Sequence, residues 1–198
     1  MTEVVLYHHV QGLTEGVRSF ADELRAAGHV VHTPDLFDGK TFDTLEEGLA
    51  FAEEAGFGTL VERGVAAAAE IRREVVYAGF SFGVMAAQRL AQTRAGARGA
   101  LLMYSCLPVS EFGEAWPHDV PVQVHGKEGD EFFLEDIAAA RALVDSSPLA
   151  ELFLYPGSEH LFADSSLPAY DAAAAALLTE RVGRFLDMLP DGRTQASR

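Results

Sequence analysis

The stretch GFSFG, residues 79–83, sets the hydroxyl of Ser81 between two glycines, where a β-branched run gives way to the helix-forming run from Val84 to Thr93. A strand turning into a helix within about four residues forces the central residue toward sparsely allowed backbone angles. Small residues are then needed two positions away on each side, and the hydroxyl stands at the tip of the turn. The five residues alone are equally compatible with a glycine-rich turn and a capping serine. Serine is a weak nucleophile unless a base takes its proton and an acid holds that base in the right tautomer. Downstream, HGKEGDEF over 125–132 supplies Glu128, Asp130 and Glu131, and YPGSEHLF over 155–162 supplies His160. All three carboxylates remain candidates for the acid at this level.

These groups become a site only if the fold brings them together. Short β-branched or apolar runs alternate with longer amphipathic stretches, the pattern of βα units around a parallel sheet. Strands are expected at Val4–Tyr7, His29–Thr33, Val75–Ala78, Ala100–Tyr104, Val122–Val124 and Leu152–Tyr155. Helices are expected near Gly16–Ala27, Leu45–Ala55, Thr59–Arg72, Val84–Thr93, Asp136–Val144 and Tyr170–Leu189. Ligand sites in open parallel sheets lie beyond the carboxyl ends of the strands, which is where Ser81, the acidic loop and His160 all fall. The chain order is serine, acid, histidine, with the acid two strands after the serine and the histidine one strand later. That is the order of α/β-hydrolase folds. His8 and His9 follow the first strand and are placed to line the same cleft. Adjacent residues of an extended chain point to opposite sides, so a common metal ion is not expected.

Composition narrows the function further. A chain of 198 residues with 48% hydrophobic and 23% charged residues suits one globular domain, expected over 1–189 with a flexible tail at 190–198. A net charge of −15, with the basic residues scattered, argues against nucleic acids and anionic membrane surfaces as partners. The segment MTEVVLYHHVQG fits neither a signal peptide nor a membrane span, so a cytoplasmic location is expected. The single cysteine, Cys106, reads as a small buried hydrophobe. No GxxxxGK[ST] or GxGxxG pattern follows the first strand, which argues against a nucleotide-binding domain.

The chain resembles the dienelactone hydrolase family, a compact subclass of the α/β-hydrolase fold, from about Val4 to Leu189. The resemblance is carried by HHVQGLTEGVRSFADELRAAGHVVHTPDLF near the start, GFSFG, HGKEGDEFF, YPGSEHLFADSS and AYDAAAAALLTERVGRFLD. It implies a mostly parallel sheet with helices on both faces, no large lid and no cofactor or metal. It also implies Ser81 as nucleophile, Asp130 as acid, His160 as base, and the backbone N–H groups of Val10 and Phe82 as oxyanion donors. The substrate expected is a small ester, lactone or thioester; a monomer or a homodimer fits equally. The alternative is a hydrolase-fold protein that binds a small ligand or partner without turnover.

Three positions depart from the family pattern. Ser81 stands where the enzymes that give the family its name carry cysteine, His9 where they carry glutamate, and Asp164 where they carry a substrate-holding arginine. With Asp164 and His9 taken as cleft residues, neutral substrates are expected to be preferred over anionic ones.

Overall fold

The computed structural model describes residues 1–190. The expected tail therefore lies, apart from Pro190, outside the described residues. Six strands form one parallel sheet: β1 (Glu3–Tyr7), β2 (Val30–His32), β3 (Val76–Phe80), β4 (Gly99–Met103), β5 (Val122–Lys127) and β6 (Ala150–Tyr155), in the spatial order β2-β1-β3-β4-β5-β6. Between and after them run α1 (Glu15–Ala26), α2 (Leu45–Ala55), α3 (Phe57–Ala69), α4 (Gly83–Thr93), α5 (Glu131–Ser146) and α6 (Ala172–Met188).

Alternation along the strands divides the core into two layers, because successive side chains point to opposite faces of a sheet. Val5, Tyr7, Tyr77, Leu102 and Val124 face α2 to α5, whereas Val4, Leu6, Val76, Ala78, Leu101 and Met103 face α1 and α6. Strands β3, β4 and β5 are buried along their whole length, as expected for a parallel sheet covered on both sides. No helix of the described residues is long and apolar enough to cross a membrane.

The chain leaves β1 for β2 on one side and returns to β3 on the other, so the strand order reverses between β1 and β3. Crevices of doubly wound sheets open at such a switch point. The loop carrying Val10 leaves β1 and the turn carrying Ser81 leaves β3, so the two are neighbours for a topological reason.

Element ends differ from the sequence expectation where pairing or capping extends an element. Strand β3 continues to Phe80, which pairs with Met103, so only Ser81 and Phe82 separate it from α4. Strand β5 runs on to Lys127, opposite Tyr155. Helix α5 starts at Glu131 rather than Asp136, because the Asp130 side chain accepts the Phe132 N–H and caps it.

Candidate active site

The elbow at Ser81 is built from close backbone approach. A Cβ on Gly79 would lie 2.4 Å from the Gly83 carbonyl group, and one on Gly83 would lie 2.5 Å from the Tyr7 carbonyl oxygen. Larger residues at either position would push α4 away from the sheet. Ser81 itself has a φ of 49°, a left-handed conformation that costs a non-glycine residue on the order of 1 kcal/mol or more. It is held there by its N–H donating to Met103 O at 2.7 Å and its carbonyl accepting from Val84 N at 2.8 Å. The backbone is thus sacrificed locally to present the hydroxyl.

The three strand ends bring Ser81, His160 and Asp130 into one line. His160 Nε2 lies 2.9 Å from Ser81 Oγ, and His160 Nδ1 lies 2.6 Å from Asp130 Oδ2. With Nδ1–H donating to the carboxylate, the Nε2 lone pair faces the serine hydroxyl. Asp130 is wholly buried, while Glu128 and Glu131 are exposed and do not touch the ring. Burial and the cap of α5 therefore select one of the three carboxylates that the loop offers.

Two aromatic rings flank the imidazole: Tyr104 with centroids 5.7 Å apart and Phe132 at 4.9 Å. The Tyr104 hydroxyl accepts the Ala163 N–H at 3.0 Å, fixing the chain beyond His160. Phe132 is 48% exposed, a large apolar surface at the rim of the site. Behind His160, the buried ammonium of Lys127 donates to Glu159 at 2.6 Å and to Asp171 at 2.7 Å, and lies over the Phe162 ring. Burial opposes its charge, but the two carboxylates outweigh that and hold its pKa above the usual lysine value. Lys127 thereby links β5, the histidine loop and the N-cap of α6. Sequence reasoning did not single out Lys127, Tyr104 or Phe132. No local pattern marked Lys127, which lies beyond the strand expected at Val122–Val124, and its partners stand 32 and 44 residues away.

The amides expected to receive an oxyanion lie at the switch point. Phe82 precedes the first turn of α4, and Val10 belongs to the loop after β1. Among the described residues, neither amide donates a hydrogen bond.

His9 and Asp164 are not the cleft residues that the sequence suggested. Their exposures are 0% and 4%, and His9 Nε2 lies 2.8 Å from Asp164 Oδ2. The expected repulsion of anions by Asp164 loses its geometric basis, because the carboxylate faces internal donors and not an open cleft. Burial works against its charge, yet hydrogen bonds from His9, Ser166 and Thr14 outweigh it and hold the carboxyl below the usual range. His9 moves the other way: burial lowers its pKa, and the link to Asp164 only partly offsets this. Its Nδ1 accepts the Gln11 N–H and its Nε2 faces Asp164, so the ring turns both nitrogens to internal partners and none to a substrate. Cys106 is buried, its thiol pushed up to about 12, first by burial and then by Asp136. Among the described residues, no group of three or more His, Cys, Asp or Glu side chains is placed to hold a metal ion.

The comparisons with known proteins agree with this architecture. No curated protein matches the sequence. Among solved structures, a dienelactone hydrolase from Anabaena variabilis is 20% identical with a TM-score of 0.69, over 96% of this chain and 88% of that one. A dienelactone hydrolase-like promiscuous phosphotriesterase from metagenomic libraries is 20% identical at a TM-score of 0.71, over 96% and 87%. An esterase from Pyrobaculum calidifontis is 16% identical at a TM-score of 0.64, over 94% and 77%. At such identities the likeness speaks for the α/β-hydrolase fold alone. The model of the dienelactone hydrolase family matches residues 1–189. With that match over nearly the whole sequence, the chain belongs to the dienelactone hydrolase family and is a hydrolase.

Proposed function

We propose that the protein is a serine hydrolase that cleaves a small carboxylic ester, lactone or thioester through an acyl-enzyme, in the cytoplasm and without a cofactor. The observation that carries this reading is the unbroken hydrogen-bond line from Ser81 Oγ through His160 to Asp130. Ser81 Oγ attacks the carbonyl carbon while its proton passes to His160 Nε2. The carbonyl electron pair moves onto oxygen, which the N–H groups of Val10 and Phe82 receive. Collapse of this intermediate expels the alcohol or thiol, which takes the proton from His160. Water then repeats the sequence on the acyl group and frees Ser81. Asp130 holds the imidazole in the required tautomer and stabilises its charged form.

The N-terminus of α4 adds to the oxyanion site, since the positive end of a helix dipole points at charge that develops beside Ser81. Phe132, exposed next to His160, offers an apolar surface to the acyl or leaving group.

The test is active-site titration with an alkyl fluorophosphonate together with turnover of p-nitrophenyl acetate. One label per wild-type chain, none on Ser81→Ala, and loss of ester turnover in that variant are expected. Absence of labelling and turnover in the folded wild type would favour a ligand-binding protein with an idle triad.

A further inference from the structure

Resting on the serine-hydrolase reading, we infer that His9 and Asp164 are positioning residues for the oxyanion donor Val10, tying the loop after β1 to the loop that carries His160.

The loop from His8 to Thr14 leaves β1 without the support of a ladder, so its shape must come from other bonds. Side chains of its own residues supply many of them. His9 Nδ1 accepts the Gln11 N–H at 3.2 Å, and the His9 carbonyl accepts the Gly12 N–H at 3.0 Å. His8 Nδ1 donates to that same carbonyl at 2.7 Å, while its Nε2 accepts the Leu36 N–H at 2.9 Å. Each ring therefore has one nitrogen accepting from a backbone amide and one donating. Val10 sits between Gln11 and the two histidines, so its amide direction follows from the His9 ring and the bonds that ring makes.

What holds the ring is Asp164, four residues past His160. Its Oδ2 accepts from His9 Nε2 and from the hydroxyl of Thr14, the N-cap of α1. Its Oδ1 accepts from Ser166 N at 2.9 Å and Ser166 Oγ at 2.6 Å. Gly16 leaves the necessary space, because a Cβ there would stand 1.7 Å from Oδ1. The carboxylate thus lies at the positive end of α1, with four hydrogen bonds from both loops. A buried charge so fully satisfied leaves the two loops little freedom to move separately.

The same loop touches the elbow. A Cβ on Gly83 would meet the Tyr7 and His8 carbonyl oxygens at 2.5 and 2.7 Å. The segment holding Val10 is therefore clamped between the start of α4, beside Ser81, and Asp164, beyond His160. A shift of about 1 Å in an oxyanion donor is enough to cost roughly tenfold to a hundredfold in rate.

Two isosteric variants divide the bonds of His9. In His9→Asn the side-chain amide reaches the Gln11 N–H but not Asp164; in His9→Gln it reaches Asp164 but not Gln11. The readouts are kcat and KM for p-nitrophenyl acetate and the inhibition constant of an aliphatic trifluoromethyl ketone. With that ketone Ser81 Oγ adds to the carbonyl carbon, the proton goes to His160 Nε2, and the new oxyanion occupies the hole. Fluorophosphonate titration checks the serine independently, and circular dichroism checks the fold. His9→Asn is expected to lower kcat tenfold to a hundredfold with KM within about twofold, and to weaken the ketone by the same factor. It should still take up one fluorophosphonate per chain. His9→Gln, which keeps the bond to Asp164, is expected to recover part of both quantities. Unchanged ketone inhibition in a folded His9→Asn protein overturns the inference, as does a His9→Gln loss equal to that of His9→Asn. Failure of the wild type to label would instead sink the underlying serine-hydrolase reading.

Discussion

Asp130 and His160 meet at 2.6 Å through Oδ2 and Nδ1, while the second oxygen of the same carboxylate accepts the Phe132 N–H at 3.1 Å and caps α5. One buried side chain orients the imidazole and is itself oriented by a helix terminus. Asparagine is as good an N-cap as aspartate but cannot stabilise an imidazolium. Asp130→Asn is therefore expected to lower kcat by about three orders of magnitude while moving the unfolding free energy by less than about 1 kcal/mol. Glu128→Gln and Glu131→Gln, both on exposed positions, should leave kcat within about twofold. Steady-state kinetics and urea unfolding on the three variants check this, and a comparable loss in Glu128→Gln would reassign the acid.

The strain at Ser81 predicts a conflict between stability and activity. Ser81→Ala and Ser81→Gly both remove the hydroxyl and its bond to His160, but only glycine accepts a φ of 49° without a Cβ penalty. The glycine variant should be more stable than the alanine variant by about 1 kcal/mol, or about 2–4 °C in Tm, with both inactive. Equal melting temperatures would show that the turn stores no strain.

Glycines at the elbow and in a helix should respond in opposite directions. Gly79→Ala and Gly83→Ala place a Cβ within 2.5 Å of backbone atoms, and a loss on the order of 3 kcal/mol is expected because backbone cannot yield as a side chain does. Gly183, inside α6, has nothing within 4 Å of its Cβ position. Gly183→Ala should gain about 0.5–1 kcal/mol. Chemical denaturation of the three proteins tests the contrast.

Acid should destabilise the fold through buried histidines. Burial is the largest cause for both His8, lowered to about 4, and His125, lowered to about 3. The backbone bond to His9 only partly offsets it at His8, and Arg181 adds to it at His125. In the unfolded chain both titrate near 6.5, so the unfolded state binds more protons below that pH. Stability is then full above about pH 6.5 and falls as pH drops toward the folded values, by about 3 kcal/mol per histidine on reaching pH 4. Urea midpoints between pH 7.5 and 4 should decline accordingly, and less steeply in His125→Gln. A flat profile would mean that both rings accept protons in the fold.

Much of the site could be read from the amino-acid order because its causes are local. The glycines around Ser81 answer a tight strand-to-helix turn within Gly79 to Val84, which the ends of β1 and β4 then hold in place. The order of serine, acid and histidine follows from strand succession, and so does the parallel sheet. The caps Thr14 and Asp171 became visible only with the structure, which starts α6 at Ala172 where the sequence suggested a helix from Tyr170. The acid was legible as a loop with three carboxylates, and as Asp130 only through the family resemblance.

What tertiary structure decided were the environments. Glu128, Asp130 and Glu131 are chemically alike in sequence, but only Asp130 is buried, caps α5 and meets a ring from residue 160. His9 and Asp164 stand 155 residues apart. Taken singly they suggest a charged cleft; together and buried, they form a neutral ring held by a satisfied carboxylate. Residue type sets which charges and hydrogen bonds are available, whereas solvent exclusion and partners set whether a charge faces a substrate or holds two loops together. Those two quantities depend on neighbours distant in the chain, and no local pattern in the sequence encodes them.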